Sequence, residues 1–125
     1  MNEPLEVTRL ARALAVHSGA RLALIAENVA NADTPGYRAR DLPDFSDIFE
    51  QSAPSLRQTR PGHLPAITDS PAPIEMNGIA SLDGNTVSLE TELVRAAEVR
   101  QDHAMALAIY RSTSDIVRSA LGRRA

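Results

Sequence analysis

A chain of 125 residues with 43% hydrophobic content holds one modest domain and enough apolar material for a core. Its net charge of −3 gives no global field toward DNA or an anionic membrane, and the absence of cysteine removes disulfides, thiolate metal sites and cysteine nucleophiles together. Tyr37, Phe45, Phe49 and Tyr110 carry all the phenyl, phenol and indole rings, fewer than a compact enzyme core or a base-stacking platform normally uses.

In chain order, residues 5–30 read as one long helix. Val7, Ala11, Leu14, Ser18, Leu22, Ile25 and Val29 fall on one line at a spacing of about 3.6 residues, and Leu10, Ala13, Ala20 and Leu24 widen it into an apolar arc. Much of the remaining surface is alanine, so this helix expects neighbours on more than one side. Asn2 is placed to cap its start, with Pro4 in the first turn, and Asn31 and Pro35 supply a stop. Glu3, Glu6, Arg9 and Arg12 interrupt what a secretory signal would keep apolar. No stretch reaches the roughly 20 apolar residues that cross a bilayer. The chain is expected to stay in the cytoplasm or to leave it without a cleaved peptide.

The junction that follows carries the most distinctive string. Asn28 and Asn31 can bond to the carbonyls at the helix end or take a left-handed turn. Thr34-Pro35-Gly36-Tyr37 puts proline and glycine at the two central positions of a type II turn. Tyr37 would then fold back on the helices with its hydroxyl wet. Residue by residue, a helix stop plus a turn explains this as well as any function does. Further on, Phe45 and Phe49 lie four apart and share a face of one helical turn, with Asp41, Asp44 and Asp47 as a solvated flank.

Residues 51–85 change character. Five of the eight prolines and three of the six glycines lie there, and apolar residues show no sustained period. An extended or conditionally ordered segment is expected, with a turn signal at Asp83-Gly84.

The last helix should run over residues 89–121, capped by Ser88, with Glu90 and Glu92 in the first turn and Gly122 after the end. Leu89, Leu93, Ala96, Leu107, Tyr110, Val117 and Leu121 follow alternating four- and three-residue steps, the pattern of a coiled-coil seam. Arg100, His103 and Ser114 interrupt it. Met105, Ile109, Ile116 and Ala120 form a second stripe on nearly the opposite face. One partner helix cannot bury both.

The expected fold is mainly α: long N- and C-terminal helices pairing as an antiparallel coiled-coil-like hairpin around an irregular or partly disordered middle. Residues 1–34 and 88–125 would form a discontinuous helical core for polymerisation. Residues 35–50 would hold the signature turn and a short hydrophobic segment, and residues 51–87 the Pro/Gly-rich extended part. The leftover apolar faces point to self-association or assembly into a larger body.

No arrangement of residues suggests catalysis. His17, His63 and His103 are far apart and lack ligand spacing, and there is no phosphate-cradling loop or nucleophile elbow. Neither a metal, a cofactor nor an enzymatic role is expected. Arg118, Arg123 and Arg124 make a cluster too short, beside too many acids, for nucleic-acid binding. On these grounds alone a cytoplasmic helical-hairpin regulator or chaperone stays open.

As a whole string, Asn28-Val29-Ala30-Asn31 through Thr34-Pro35-Gly36-Tyr37-Arg38-Ala39-Arg40-Asp41 resembles the N-terminal signature of the flagellar rod and hook family. Its continuation into Leu42 is similar to the proximal rod members. Arg60-Pro61-Gly62-His63-Leu64, Leu82-Asp83-Gly84-Asn85-Thr86-Val87 and the short length agree with that. The resemblance implies a structural subunit of the basal body rod, with paired terminal helices, polymerised helically into the axial shaft in the periplasm. It implies export through the flagellar type III apparatus without a cleaved signal. The implied partners are other rod subunits, the adapter between rod and membrane ring, the ring protein, the export gate and further copies of the chain. It also implies that Phe45-Ser46-Asp47-Ile48-Phe49 is the short hydrophobic motif that docks on the export gate.

Overall fold

The computed structural model describes residues 3–52 and 71–122. Asn2, the stretch 60–64 with His63, and Arg123 and Arg124 lie outside the described residues. The elements in order are helix α1 (Glu3–Ala30), strand β1 (Arg40–Asp41), helix α2 (Phe45–Ser52), strand β2 (Ile74–Glu75) and helix α3 (Leu89–Ala120).

The two long helices pack against each other in opposite directions. Asn28, at the end of α1, reaches Glu92, at the start of α3, and His103 Nδ1 donates to the Ala15 carbonyl at 3.1 Å midway along. The ends of α3 follow from the sequence. The Ser88 hydroxyl accepts from the Thr91 N–H, Glu90 and Glu92 lie in the first turn, and Gly122, at φ +70°, takes the left-handed turn after the end.

Along α1 the buried line is Ala11, Ser18 and Ile25, with Leu14 and Leu22 half-buried and Val7 and Val29 exposed. The opposing line on α3 is Glu92, Val99, Ala106 and Thr113, each seven residues from the next. These side chains are small or internally bonded. Ser18 and Thr113 donate their hydroxyls to the Leu14 and Ile109 carbonyls of their own helices, at 2.8 Å each, so each sits in the seam without an unpaired polar atom.

The leucine ladder of α3 departs from the expected seam. Leu89, Leu93 and Leu121 are exposed, and Leu107 is half-buried. For Leu93 and Leu107 the place in the intrachain contact is taken by the residue one position earlier, Glu92 and Ala106. Ala96, His103, Tyr110 and Val117 belong to both registers, so spacing alone does not separate them. Close approach of the helices does: Ala106 is fully buried, and a leucine there would be overpacked.

The strands form a two-stranded antiparallel sheet with Arg40 opposite Glu75 and Asp41 opposite Ile74. Two residues are too few to carry an alternating pattern, and the sequence did not reveal them. Their effect is to tie the second half of the middle segment to the chain leaving α1. Among the described residues, no helix is long and apolar enough to cross a membrane.

Candidate functional site

The side chains singled out after α1 converge on one latch where the hairpin closes. Asn28 lies on the inner face of α1 and is almost wholly buried. Its Nδ2 donates to the Arg40 carbonyl at 2.8 Å, and its Oδ1 accepts the Arg40 N–H at 3.0 Å. One side-chain amide therefore pairs with both backbone groups of a strand residue, as a neighbouring strand would. The second Nδ2 hydrogen points to Glu92 Oε2 at 3.3 Å. Glu92 is buried as well, and its other oxygen accepts from Arg95 one turn on, at 3.2 Å. A buried carboxylate is costly unless paired, and here a cation and an amide share it.

Asn85 closes the latch from the other side. Its Nδ2 lies 2.9, 2.9 and 2.8 Å from the carbonyls of Asn31, Ala32 and Thr34, in the turns that follow α1. Its Oδ1 accepts the Val87 N–H at 2.7 Å. Next to it, Thr86 donates its N–H to the Tyr37 carbonyl and accepts the Ala39 N–H on its hydroxyl. The Thr34 carbonyl accepts the Tyr37 N–H across Pro35 and Gly36, and Gly36 has φ +72°, as position three of a type II turn requires. Gly84, at φ +82°, backs onto it: a Cβ there would stand 3.5 Å from the Gly36 Cα. Asn31, by contrast, keeps a negative φ and donates its side chain to the Glu27 carbonyl at 2.8 Å.

Charged pairs hold the outside. Arg21 forms a two-pronged bond to Asp41, 3.0 and 2.8 Å, with both groups largely covered. This hydrogen bond raises the pKa of the guanidinium. Asp41 Oδ1 also accepts the Leu42 N–H at 2.8 Å. Arg40 pairs with Glu27, which raises its pKa too, and the Tyr37 hydroxyl lies 3.4 Å from the same carboxylate. Arg38 is exposed. Beyond the latch, His17 Nε2 donates to the Pro43 carbonyl at 2.8 Å, and its ring meets Phe45 at 5.5 Å. Phe49 stacks on Phe45 at 6.2 Å and stays half exposed. Among the described residues no three acids and histidines converge as metal ligands. The arrangement is a structural clasp.

A family model described as "Flagella basal body rod protein" matches residues 9–38, which run down α1 and through the turn at Gly36. The chain is 35% identical over 100 residues to the flagellar basal body rod protein FlgB of Escherichia coli (strain K12), covering 70% of this chain and 72% of that protein. The FlgB of Salmonella typhimurium is 35% identical over 104 residues, 74% and 75% of the two chains. That of Agrobacterium fabrum is 26% identical over 120 residues, 88% of each. The chain belongs to the flagellar basal body rod protein family.

For this rod protein the clasp is where the sequence signature acquires physical content. Asn28, Asn31, Thr34, Gly36, Tyr37, Arg40 and Asp41 all bond within it. Sequence reasoning missed four of its members. Glu92 was read as a first-turn acid for the helix dipole, Asn85 and Thr86 only as part of a matching string, and Arg21 not at all. For Asn85 the signal was the Asp-Gly turn just before it, which fixes where its amide points. Arg21 had none, because its partner is set by the way the chain returns.

Proposed function

We propose that the chain is a subunit of the proximal rod, exported by the flagellar type III apparatus and assembled helically into the axial drive shaft in the periplasm. The observation that supports this is the apolar surface left over once the hairpin is complete. Leu5, Leu10 and Val16 on α1 and Leu93, Met105, Ile109, Ile116 and Leu121 on α3 are all exposed. Exposed aliphatics on both helices of a small charged chain mark contact surface, and several neighbours are needed to cover both helices. In this reading the described seam residues divide. Ile25, Leu14, Leu22, Leu107 and Val117 hold the chain together, while Val7, Leu10, Val29, Leu89, Leu93, Tyr110, Leu121 and the stripe at Met105, Ile109 and Ile116 meet neighbours.

The neighbours are other rod subunits, the adapter that joins rod to membrane ring, and the ring protein. The signature clasp sets the direction in which the chain leaves α1. Phe45 and Phe49 serve twice: they dock on the export gate while the chain is unfolded, and once it has folded Phe45 meets the His17 ring and Phe49 stacks on Phe45. In a strain deleted for the gene, the intact sequence should restore motility and rods containing the chain. The Phe45→Ser, Phe49→Ser double variant should accumulate in the cytoplasm instead. Normal rods in the uncomplemented strain contradict the reading.

A further inference from the structure

The loop at the closed end of the hairpin carries two aliphatic side chains, Ile79 and Leu82, that are wholly exposed. It is nonetheless fixed. Ser81 N–H donates to the Asn85 carbonyl, Gly84 N–H to the Ser81 carbonyl, and the Asn85 side chain binds the end of α1. Gly78 sits tight against Thr86, where a Cβ would come within 3.0 Å of the Thr86 carbonyl oxygen. A rigid loop that displays two apolar groups to water lowers its free energy by burying them. Among the described residues nothing covers either side chain.

Farther down the hairpin, Arg12, Ala15, Leu107 and Tyr110 line an open groove between α1 and α3. Fifteen residues separate Ala15 from the end of α1, which at about 1.5 Å per residue is roughly 22 Å. A chain cannot fold its own loop into its own groove. The two sites are also complementary in charge. Asp83, beside Leu82, accepts the Ser81 hydroxyl and the Asn85 N–H on Oδ1, and among the described residues no cation pairs with it. At the groove, Arg12 and, one turn away, Arg9 have neither an ion pair nor a hydrogen bond among the described residues.

We infer that the loop 79–83 of one copy docks in the Arg12–Ala15–Leu107–Tyr110 groove of a second copy, with Leu82 between Ala15 and Leu107 and Asp83 on Arg12. Two different patches meet, so the contact is head-to-tail and repeats from copy to copy, as a helical assembly requires. This rests on the rod reading and names the contact between copies that it leaves unspecified.

The chain has no cysteine, which makes the test direct. Ala15→Cys and Leu82→Cys are introduced singly and together in the deleted strain, and isolated basal bodies are oxidised with copper phenanthroline. The double variant should give a ladder of multimers on a non-reducing gel, and each single variant monomer alone. Rods that contain the chain but give no ladder overturn the inference and leave the rod reading intact. So does Leu82→Cys cross-linking to itself or to a different rod protein. Rods without the chain, even when the intact sequence is supplied, overturn both. Leu82→Ser tests the contact without new chemistry: its circular dichroism should match the parent, and its incorporation into rods should fall. Full incorporation overturns the docking.

Discussion

The amide of Asn28 acts as a strand neighbour for Arg40, and no other side chain of its size offers a donor and an acceptor at that spacing. Asn28→Ala leaves the Arg40 N–H, the Arg40 carbonyl and one edge of Glu92 without partners in a buried site. Stranded groups of this kind cost about 1–3 kcal/mol each when fully desolvated; with partial relaxation a total loss of about 2–4 kcal/mol is expected, read as a lower urea midpoint. Asn28→Asp keeps the acceptor but turns a carboxylate toward both Glu92 and the Arg40 carbonyl, and should lose more. Asp83 gives a pH test. The Ser81 hydroxyl, and after it the Asn85 N–H, hold its pKa below the ordinary value. Its contribution to the turn is therefore complete above the unfolded value of about 4 and disappears as pH falls through the lower folded value. The Asn85 amide resonance should titrate with that lowered midpoint, and Ser81→Ala should move the midpoint up. The sequence made Asn28 visible as a helix-end residue but could not show its partner, because Arg40 returns to it only after the turn at Gly36 has reversed the chain.

At the scale of elements, α1 and α3 were legible in length and direction, and α3 in its caps as well, because both carry long periodic patterns and clear stop signals. The register of α3 was not. Leucine at positions 93 and 107 outweighs Glu92 and Ala106 on any hydropathy count, yet close approach of the helices selects Ala106, and the bonds from Asn28 and Arg95 select Glu92. That yields a paired prediction. Val99→Ala removes buried methyls from the seam and should cost about 2 kcal/mol, lowering the melting temperature. Leu93→Ala, on an exposed position, should change stability by less than about 0.5 kcal/mol. Equal losses would place Leu93 in the intrachain seam. The sheet of β1 and β2 was illegible for a different reason: it is built by backbone groups over two residues per strand and depends on Thr86 and Asn85 bringing residues 71–87 back to the end of α1.

For the whole molecule, the governing fact is the disparity between a thin core and a broad apolar exterior. Among the described residues the buried hydrophobic side chains are Ala11, Ile25, Ala39, Leu42, Val99 and Ala106, whereas seventeen large hydrophobic residues are exposed. Folding alone leaves most of the aliphatic surface wet, and long helices in that condition gain the greater part of their stability from packing against neighbours. The proposed assembly covers that surface, and the leftover apolar stripes in the sequence already pointed to it. The most direct measurement separates folding from assembly. Met105→Gln and Ile116→Gln, both on exposed positions and both to a good helix former, are combined and expressed in the strain lacking the gene. Thermal unfolding of the purified chain and electron microscopy of isolated basal bodies are then compared with the parent. The prediction is an unchanged melting temperature with rods absent or truncated; complete rods at normal frequency would contradict the claim that these faces build the rod.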